Sequence, residues 1–268
     1  MADYQKDLEL GKILSPLQRV LVCYSGGVDS SFLLKRALEE LGEGAQATIV
    51  KAESFPQAEF EAAMERAEAL GVKPWVIEVR ELEREALARN EADRCYHCKS
   101  LSFGEIAVKA QELGITWVLD GTNADDLGDY RPGLKAREEQ GVRSPLAEVG
   151  LGKNEIRNLS KQRGLSTWDL PSSPCLNSRV PYGDPITLEK LRQIGEAEAF
   201  LRSLGFKELR VRHHGAVARV EVPVADFTAL IEQRGAVESH LKSLGFSWVA
   251  LDLGGFRSGS LNEALHGS

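Results

Sequence analysis

Arg19-Val-Leu-Val-Cys-Tyr-Ser-Gly-Gly-Val-Asp-Ser-Ser-Phe-Leu-Leu34 decides how this chain folds. Val20 to Cys23 is an apolar run rich in β-branched residues, and Ser25-Gly-Gly-Val-Asp-Ser30 follows it without a linker. Phe32, Leu33, Ala37, Leu38 and Leu41 then recur at helical spacing. The pattern predicts a buried strand, a tight glycine turn and a helix. Gly26 and Gly27 permit positive φ and let an anion approach without meeting a Cβ. The helix behind them points unpaired N–H groups and the positive end of its dipole at that anion. Ser25, Ser30 and Ser31 add hydroxyl donors, and Asp29 is placed to hold a hard cation through oxygen. Such a turn is a cradle for pyrophosphate.

The other common nucleotide loops do not fit. A Walker loop requires Gly-x-x-x-x-Gly-Lys-Ser/Thr and a dinucleotide fold Gly-x-Gly-x-x-Gly. Ser-Gly-Gly-x-Asp-Ser after a strand instead resembles the PP-loop of the ATP pyrophosphatase superfamily. That resemblance implies cleavage of ATP between its α and β phosphates and adenylation of a substrate.

Composition narrows the setting. The chain has 268 residues, 43% hydrophobic and 27% charged, as in ordinary soluble enzymes, and is long enough for one large domain or two smaller ones. It contains no apolar run near the ~20 residues of a membrane span, and Met1-Ala-Asp-Tyr-Gln-Lys-Asp7 has no signal-peptide core. A cytoplasmic protein is the expectation. Lys+Arg 33 against Asp+Glu 40 gives a net charge of −7, which argues against a broad nucleic-acid surface but not against a small anion met by local arginines. Four cysteines, Cys23, Cys95, Cys98 and Cys175, suit metal or redox chemistry better than a disulfide scaffold.

Further along, strands are predicted at Ala47 to Val50, Trp75 to Val79 and Thr116 to Asp120, separated by helices over Gln57 to Leu70, Glu81 to Asn90 and Cys95 to Leu113. That alternation implies a parallel sheet with right-handed crossovers, whose ligands collect at the carboxyl ends of the strands. A long irregular region, Leu127 to Pro145, precedes a helix over Lys153 to Arg163. The proline-rich loop Trp168 to Pro185 ends the first domain, giving an α/β PP-loop domain over residues 1–183 and a smaller α+β domain over 184–268. The second domain reads helix (Thr187 to Leu204), strand (Leu209 to Arg212), turn (His213-His-Gly215), strand (Val217 to Val222), helix (Ala225 to Leu244), strand (Ser247 to Leu253). The tight turn pairs its two strands antiparallel.

Several constellations carry chemistry. Cys95 and Cys98 stand at the mouth of a helix and Cys175 lies in the proline-rich loop. A zinc half-site with His97, a redox pair and a three-cysteine [4Fe-4S] cluster with one open iron all use such residues. Cys23, inside an apolar strand, reads as a small buried hydrophobe. Asp125 and Asp126 follow Gly121-Thr-Asn123 at a strand end, where they can supply a second magnesium ligand opposite Asp29 or cap the next segment. Arg210 and Arg212 project to one face of their strand, with Arg219 on the partner strand, as paired guanidinium forks for a phosphate monoester or as a solvated charged face. Glu198 and Glu221 are candidate divalent-metal ligands, and His213 and His214 read as turn residues.

With these segments in view, Ser25-Gly-Gly-Val-Asp-Ser30, Gly121-Thr-Asn-Ala-Asp-Asp-Leu-Gly-Asp-Tyr-Arg-Pro-Gly133, Ser172-Ser-Pro-Cys-Leu-Asn-Ser-Arg-Val-Pro-Tyr-Gly183, Arg210-Val-Arg-His-His-Gly215 and Asp252-Leu-Gly-Gly-Phe-Arg-Ser-Gly-Ser-Leu-Asn262 resemble the LarE family. These are PP-loop sulfur transferases of nickel-pincer nucleotide biosynthesis. The resemblance implies ATP and Mg2+, with Ser25, Gly26, Gly27, Asp29, Ser30 and Gly121 around the nucleotide. It implies adenylation of the carboxylates of pyridinium-3,5-biscarboxylic acid mononucleotide and replacement of AMP by sulfur. It further implies that Arg210 and Arg212, with Arg179 beside them in the candidate set, grip the substrate phosphate, and that trimers or hexamers form. In family members with a single active-site cysteine, at the position of Cys175, that residue gives up its sulfur and becomes dehydroalanine. Here Cys95-x-x-Cys98 accompanies it, as in members that hold a [4Fe-4S] cluster through three cysteines and transfer sulfide from it. A tRNA thiolase is the rival reading, and it needs a basic face that this acidic chain does not supply.

Overall fold

The structure of the chain is a computed structural model and describes residues 2–128, 132–171 and 174–257. The motif residues 129–131, 172–173 and 258–262 lie outside the described residues. Among the described residues the order is Ala2–Leu14 (α1), Val20–Cys23 (β1), Val28–Leu41 (α2), Ala45–Ala52 (β2), Gln57–Ala69 (α3), Trp75–Val79 (β3), Glu85–Ala88 (α4), Arg94–Glu112 (α5) and Trp117–Leu119 (β4). Then follow Pro132–Glu139 (α6), Pro145–Glu148 (α7), Lys153–Gln162 (α8), Leu188–Ser203 (α9), Arg210–His214 (β5), Val217–Glu221 (β6), Phe227–Glu232 (α10), Arg234–Ser243 (α11) and Trp248–Leu251 (β7).

Two compact units emerge, one from Met1–Arg80 with Asp93–Ser173, the other from Glu81–Ala92 with Pro174–Ser268. In the first, β3-β2-β1-β4 form a sheet in which every neighbouring pair is parallel. The period-two alternation of β1 explains why it is central. Val20 and Val22 face a core with Leu10, Phe32, Leu33, Ile49 and Ile156, while Leu21 faces another with Ile77, Phe103 and Ile106. Helices therefore cover both faces. From β1 the chain winds outward to β2 and β3, then returns through α5 to place β4 on the other flank of β1. Such a reversal opens a crevice beyond the carboxyl ends of β1 and β4, and the loops entering α2 and following β4 both start there.

In the second unit β5 and β6 are antiparallel, and β7 runs parallel to β6. Val211, Ala218 and Val220 turn one face of this sheet onto Ala197, Leu201 and Leu241 of α9 and α11. The hairpin turn is Gly215-Ala216, with Gly215 at φ +59°, so His213 and His214 are the last strand residues. The helix expected over Ala225 to Leu244 is broken into α10 and α11. Glu81–Ala92 joins this unit through Asn90. Its amide donates to the carbonyls of Pro181 and Asp184 at 2.6 and 2.9 Å, and its own carbonyl accepts from Gly183 N–H at 3.0 Å. No helix of the described residues is long and apolar enough to cross a membrane.

Candidate functional site

The cradle forms where β1 runs into α2. Gly26 has φ +73°, and a Cβ there would stand 2.5 Å from the Cβ of Ala63 on α3. Both the conformation and the packing therefore require glycine. Gly27 is extended and is the residue before the first turn of α2. Gly121, after β4, approaches the same turn so closely that a Cβ would lie 2.9 Å from Ser30 N. Two strand ends thus meet around the first N–H groups of α2. Ser30 Oγ accepts from Ser25 N–H at 3.2 Å and lies 3.1 Å from Ser25 Oγ, so the hydroxyls form one chain around the loop. The expected nucleotide residues of the first unit, Ser25, Gly26, Gly27, Asp29, Ser30 and Gly121, lie on these two segments.

Asp29, in the first turn of α2, is flanked by groups the motif does not contain. Lys153, the first residue of α8, is ion-paired through Nζ to Asp29 Oδ2. The other oxygen, Oδ1, is buried and accepts no hydrogen bond. Burial raises the carboxyl above the usual aspartate range, and the attraction of Lys153 offsets only part of that rise. A hard cation coordinated at Oδ1 would satisfy it, so the donor present fits Mg2+.

Asp125 and Asp126 have structural duties. Asp125 Oδ2 accepts from Lys153 N–H at 2.7 Å at the start of α8, and Asp126 Oδ2 accepts from Asn123 N–H at 3.1 Å. Capping, the alternative reading for these carboxylates, describes the bonds they make here. Arg66 on α3 also lies outside the motif and donates through Nη1 to Gly26 O at 3.3 Å. Neither Lys153 nor Arg66 carries a sequence signal beyond a cation in a helix; only the fold brings them to the loop.

No disulfide joins the cysteines among the described residues, and Cys95 and Cys175 are exposed while Cys98 is half-buried. Cys95 and Cys98 open α5 in the first unit, and Cys175 precedes a short turn of helix in the second. Among the described residues no three His, Cys, Asp or Glu side chains are gathered as a metal-binding group. His97 is bonded instead to Asp93 at 3.1 Å. The Cys23 thiol is pushed up by burial, with the negative charge of Asp120 adding to the shift, so it stays protonated and packs as an apolar side chain.

The arginines of the second unit divide sharply. Arg179, 1% exposed, grips Glu198 with Nε at 2.8 Å and Nη2 at 3.1 Å. Arg212 grips Glu221 in the same two-pronged way at 2.9 and 3.1 Å. Glu198 also accepts from Val211 N–H at 3.1 Å and Arg202 at 3.0 Å, and Glu221 lies 3.1 Å from Arg219. The carboxylates expected as metal ligands are thus buried and ion-paired with arginines. Arg210 differs. It is 7% exposed and has no carboxylate within ion-pairing distance among the described residues. Its guanidinium lies 4.8 Å from the ring of Phe256. Burial, aided by the charge of Arg179, lowers it to about 10. It stays cationic at neutral pH, and the carboxylates of Glu198 and Glu221, which are gripped by other arginines, attract it without ion-pairing with it.

A four-stranded parallel sheet, a strand–Ser-Gly-Gly-x-Asp-Ser–helix turn at its switch point and a smaller α+β unit define the class: a PP-loop α/β protein with an appended domain. No protein-family model matches the chain. It is 41% identical over 261 residues, 97% of this chain and 95% of the relative, to the pyridinium-3,5-bisthiocarboxylic acid mononucleotide synthase of Lactiplantibacillus plantarum. An uncharacterized protein of Synechocystis is 40% identical over 96% of each chain, and one of Methanocaldococcus jannaschii is 29% identical over 90% of this chain and 92% of its own. The chain belongs to the LarE family, and it is an enzyme.

Proposed function

We propose that this protein is an ATP-dependent sulfur transferase that adenylates the carboxylates of pyridinium-3,5-biscarboxylic acid mononucleotide and replaces AMP by sulfur, giving the thiocarboxylate and then the dithiocarboxylate. The observation that carries the reading is 41% identity over 97% of the chain to a relative named for that product, and the glycine turn at the start of α2 supports it.

In this reading the ATP phosphates lie over the N-terminus of α2, against Ser25, Ser30 and the glycine backbone. A substrate carboxylate attacks the α phosphorus and the bond to the β phosphate breaks. Negative charge then develops on the departing pyrophosphate, where fixed N–H dipoles stabilise it most. Asp29 would hold Mg2+ through its buried Oδ1, and the ion would supply further charge neutralisation at that leaving group. Arg210 meets the substrate's phosphate monoester. Its lack of an ion pair among the described residues supports that role, whereas Arg179 and Arg212 are paired with glutamates and act as the rigid bed for it.

Sulfur transfer falls to the cysteines. Cys95, Cys98 and Cys175 would hold a [4Fe-4S] cluster, a donor set of soft thiolates that suits it, and its open iron would supply bound sulfide. The exposure of Cys175 favours a second route. Its Sγ attacks the acyl-adenylate, AMP leaves, and loss of the Cα proton cleaves the Cβ–Sγ bond to give thiocarboxylate and dehydroalanine. Anaerobic turnover with intact-mass analysis separates the two routes. Multiple turnover with unchanged mass and bound iron supports the cluster, and one turnover with loss of sulfur at Cys175 supports the sacrificial route. A functional trimer or hexamer, magnesium dependence and a cytoplasmic setting complete the proposal.

A further inference from the structure

We propose that Lys153 is a mobile counter-ion of the nucleotide site: in the nucleotide-free enzyme its ammonium holds Asp29, and when Mg·ATP arrives the metal takes the carboxylate and the ammonium moves to the phosphates. The inference rests on the ATP reading above and adds a positioning role for a residue outside the PP-loop motif.

Three observations carry it. Lys153 Nζ pairs with Asp29 Oδ2 across the two segments that make the cradle. Asp29 Oδ1, on the same carboxylate, is buried without a hydrogen-bond donor, so the lysine satisfies only half of the group. The root of Lys153 is fixed while its head is not. Its backbone N–H is tied to Asp125 at 2.7 Å, and Gly152 before it sits so close to Asp125 that a Cβ would lie 3.1 Å from Oδ1. The side chain retains 33% exposure and makes no other ion pair among the described residues. Lysine suits this task because its charge rides on four flexible methylenes and is strongly hydrated, so it can change partners within one cavity.

A divalent ion at Asp29 makes the displacement necessary. Mg2+ binds carboxylate oxygen at about 2.0–2.1 Å with near-octahedral geometry. An ammonium on the same carboxylate would then face a like charge of two in a partly buried site. The nearest new anion is the phosphate chain that arrives with the metal. The exchange keeps Asp29 neutralised in both states and delivers a cation to the leaving group only when the nucleotide is present.

The test uses two probes on the full chain. Mn2+ binding without nucleotide is followed by electron paramagnetic resonance, and binding of α,β-methylene-ATP, which cannot be cut at the inner linkage, is followed by calorimetry in excess Mg2+. In Lys153→Met, Mn2+ should bind severalfold more tightly than in wild type, because its competitor is gone. The analogue should bind about tenfold more weakly, the loss of one charged hydrogen bond to phosphate. Lys153→Arg should recover most of the nucleotide affinity, and Lys153→Gln should reproduce the Met variant if that protein does not fold. A merely structural lysine would not move the two affinities in opposite directions. Unchanged or weaker Mn2+ binding in the neutral variants, with wild type binding both probes, overturns the role of Lys153. Wild type binding neither probe overturns the ATP reading itself and this inference with it.

Discussion

The two polar centres of this chain manage charge in opposite ways. Around the PP-loop, Asp29 keeps one buried oxygen without a hydrogen-bond donor, and Lys153 and Ser25 remain partly in solvent. In the second unit charges are buried and closed off: Arg179 by Glu198, Arg212 by Glu221, while Arg210 makes no ion pair among the described residues. On the proposed function, the first centre would take a nucleotide that brings its own cation and leaves as pyrophosphate. The second would take a single phosphate at Arg210, between two arginines already paired with glutamates.

The comparison breaks most visibly at Asp29. Asp29→Ala should reduce pyrophosphate release by about 10³-fold or more, the scale of losing charge stabilisation at a leaving group. A coupled pyrophosphate assay measures it, and near-normal release would remove Asp29 from the metal site. Next in size is Arg179→Met, which leaves Glu198 buried with the half-exposed Arg202 and the Val211 N–H and should cost about 3–5 kcal/mol in urea unfolding. Arg210→Met sharpens the contrast. Because burial already lowers that group, replacing it should leave stability unchanged or raise it by about 1 kcal/mol. Substrate KM should nevertheless rise at least about tenfold. A destabilised Arg210→Met protein would mean that its charge is structural like its neighbours'.

The smallest effect concerns pH. Burial pushes the Glu198 carboxyl upward, but the charge and fork of Arg179 outweigh it and hold the group below the usual range. A carboxyl lowered in the folded state contributes stability that is complete above its unfolded value, about 4.3, and is lost as pH falls below it. Melting temperature should therefore fall on acidification, and the slope of that fall should flatten in Arg179→Met. An identical acid limb in both proteins would contradict the assigned coupling.

Much of the first unit was legible in the sequence because its signals are local. The apolar run Val20–Cys23, the glycines and the helical spacing after Ser30 fix the strand, turn and helix, and Trp75–Val79 is a strand with those bounds. Helix α1 and the short α6 carried no such signal. The first has a weak apolar stripe, and the second lies in a region without apolar periodicity. In the site, adjacent residues were readable and distant ones were not. Lys153 meets Asp29 only because α8 packs beside α2, and Arg66 reaches Gly26 only because Ala63 fits the space a glycine leaves. The arginines illustrate the limit of spacing. Residues two apart on a strand share a face, as Arg210 and Arg212 do, but only the cross-strand register, which sets Arg210 opposite Glu221 and Arg212 opposite Arg219, gives each its electrostatic surroundings.

The most direct measurement is to incubate the enzyme anaerobically with Mg·ATP and pyridinium-3,5-biscarboxylic acid mononucleotide and to quantify the nucleotide products. The account predicts AMP and pyrophosphate in equal amounts, dependent on the diacid, with thiocarboxylate formed alongside. Formation of ADP and phosphate, or no nucleotide cleavage with the diacid present, would contradict it.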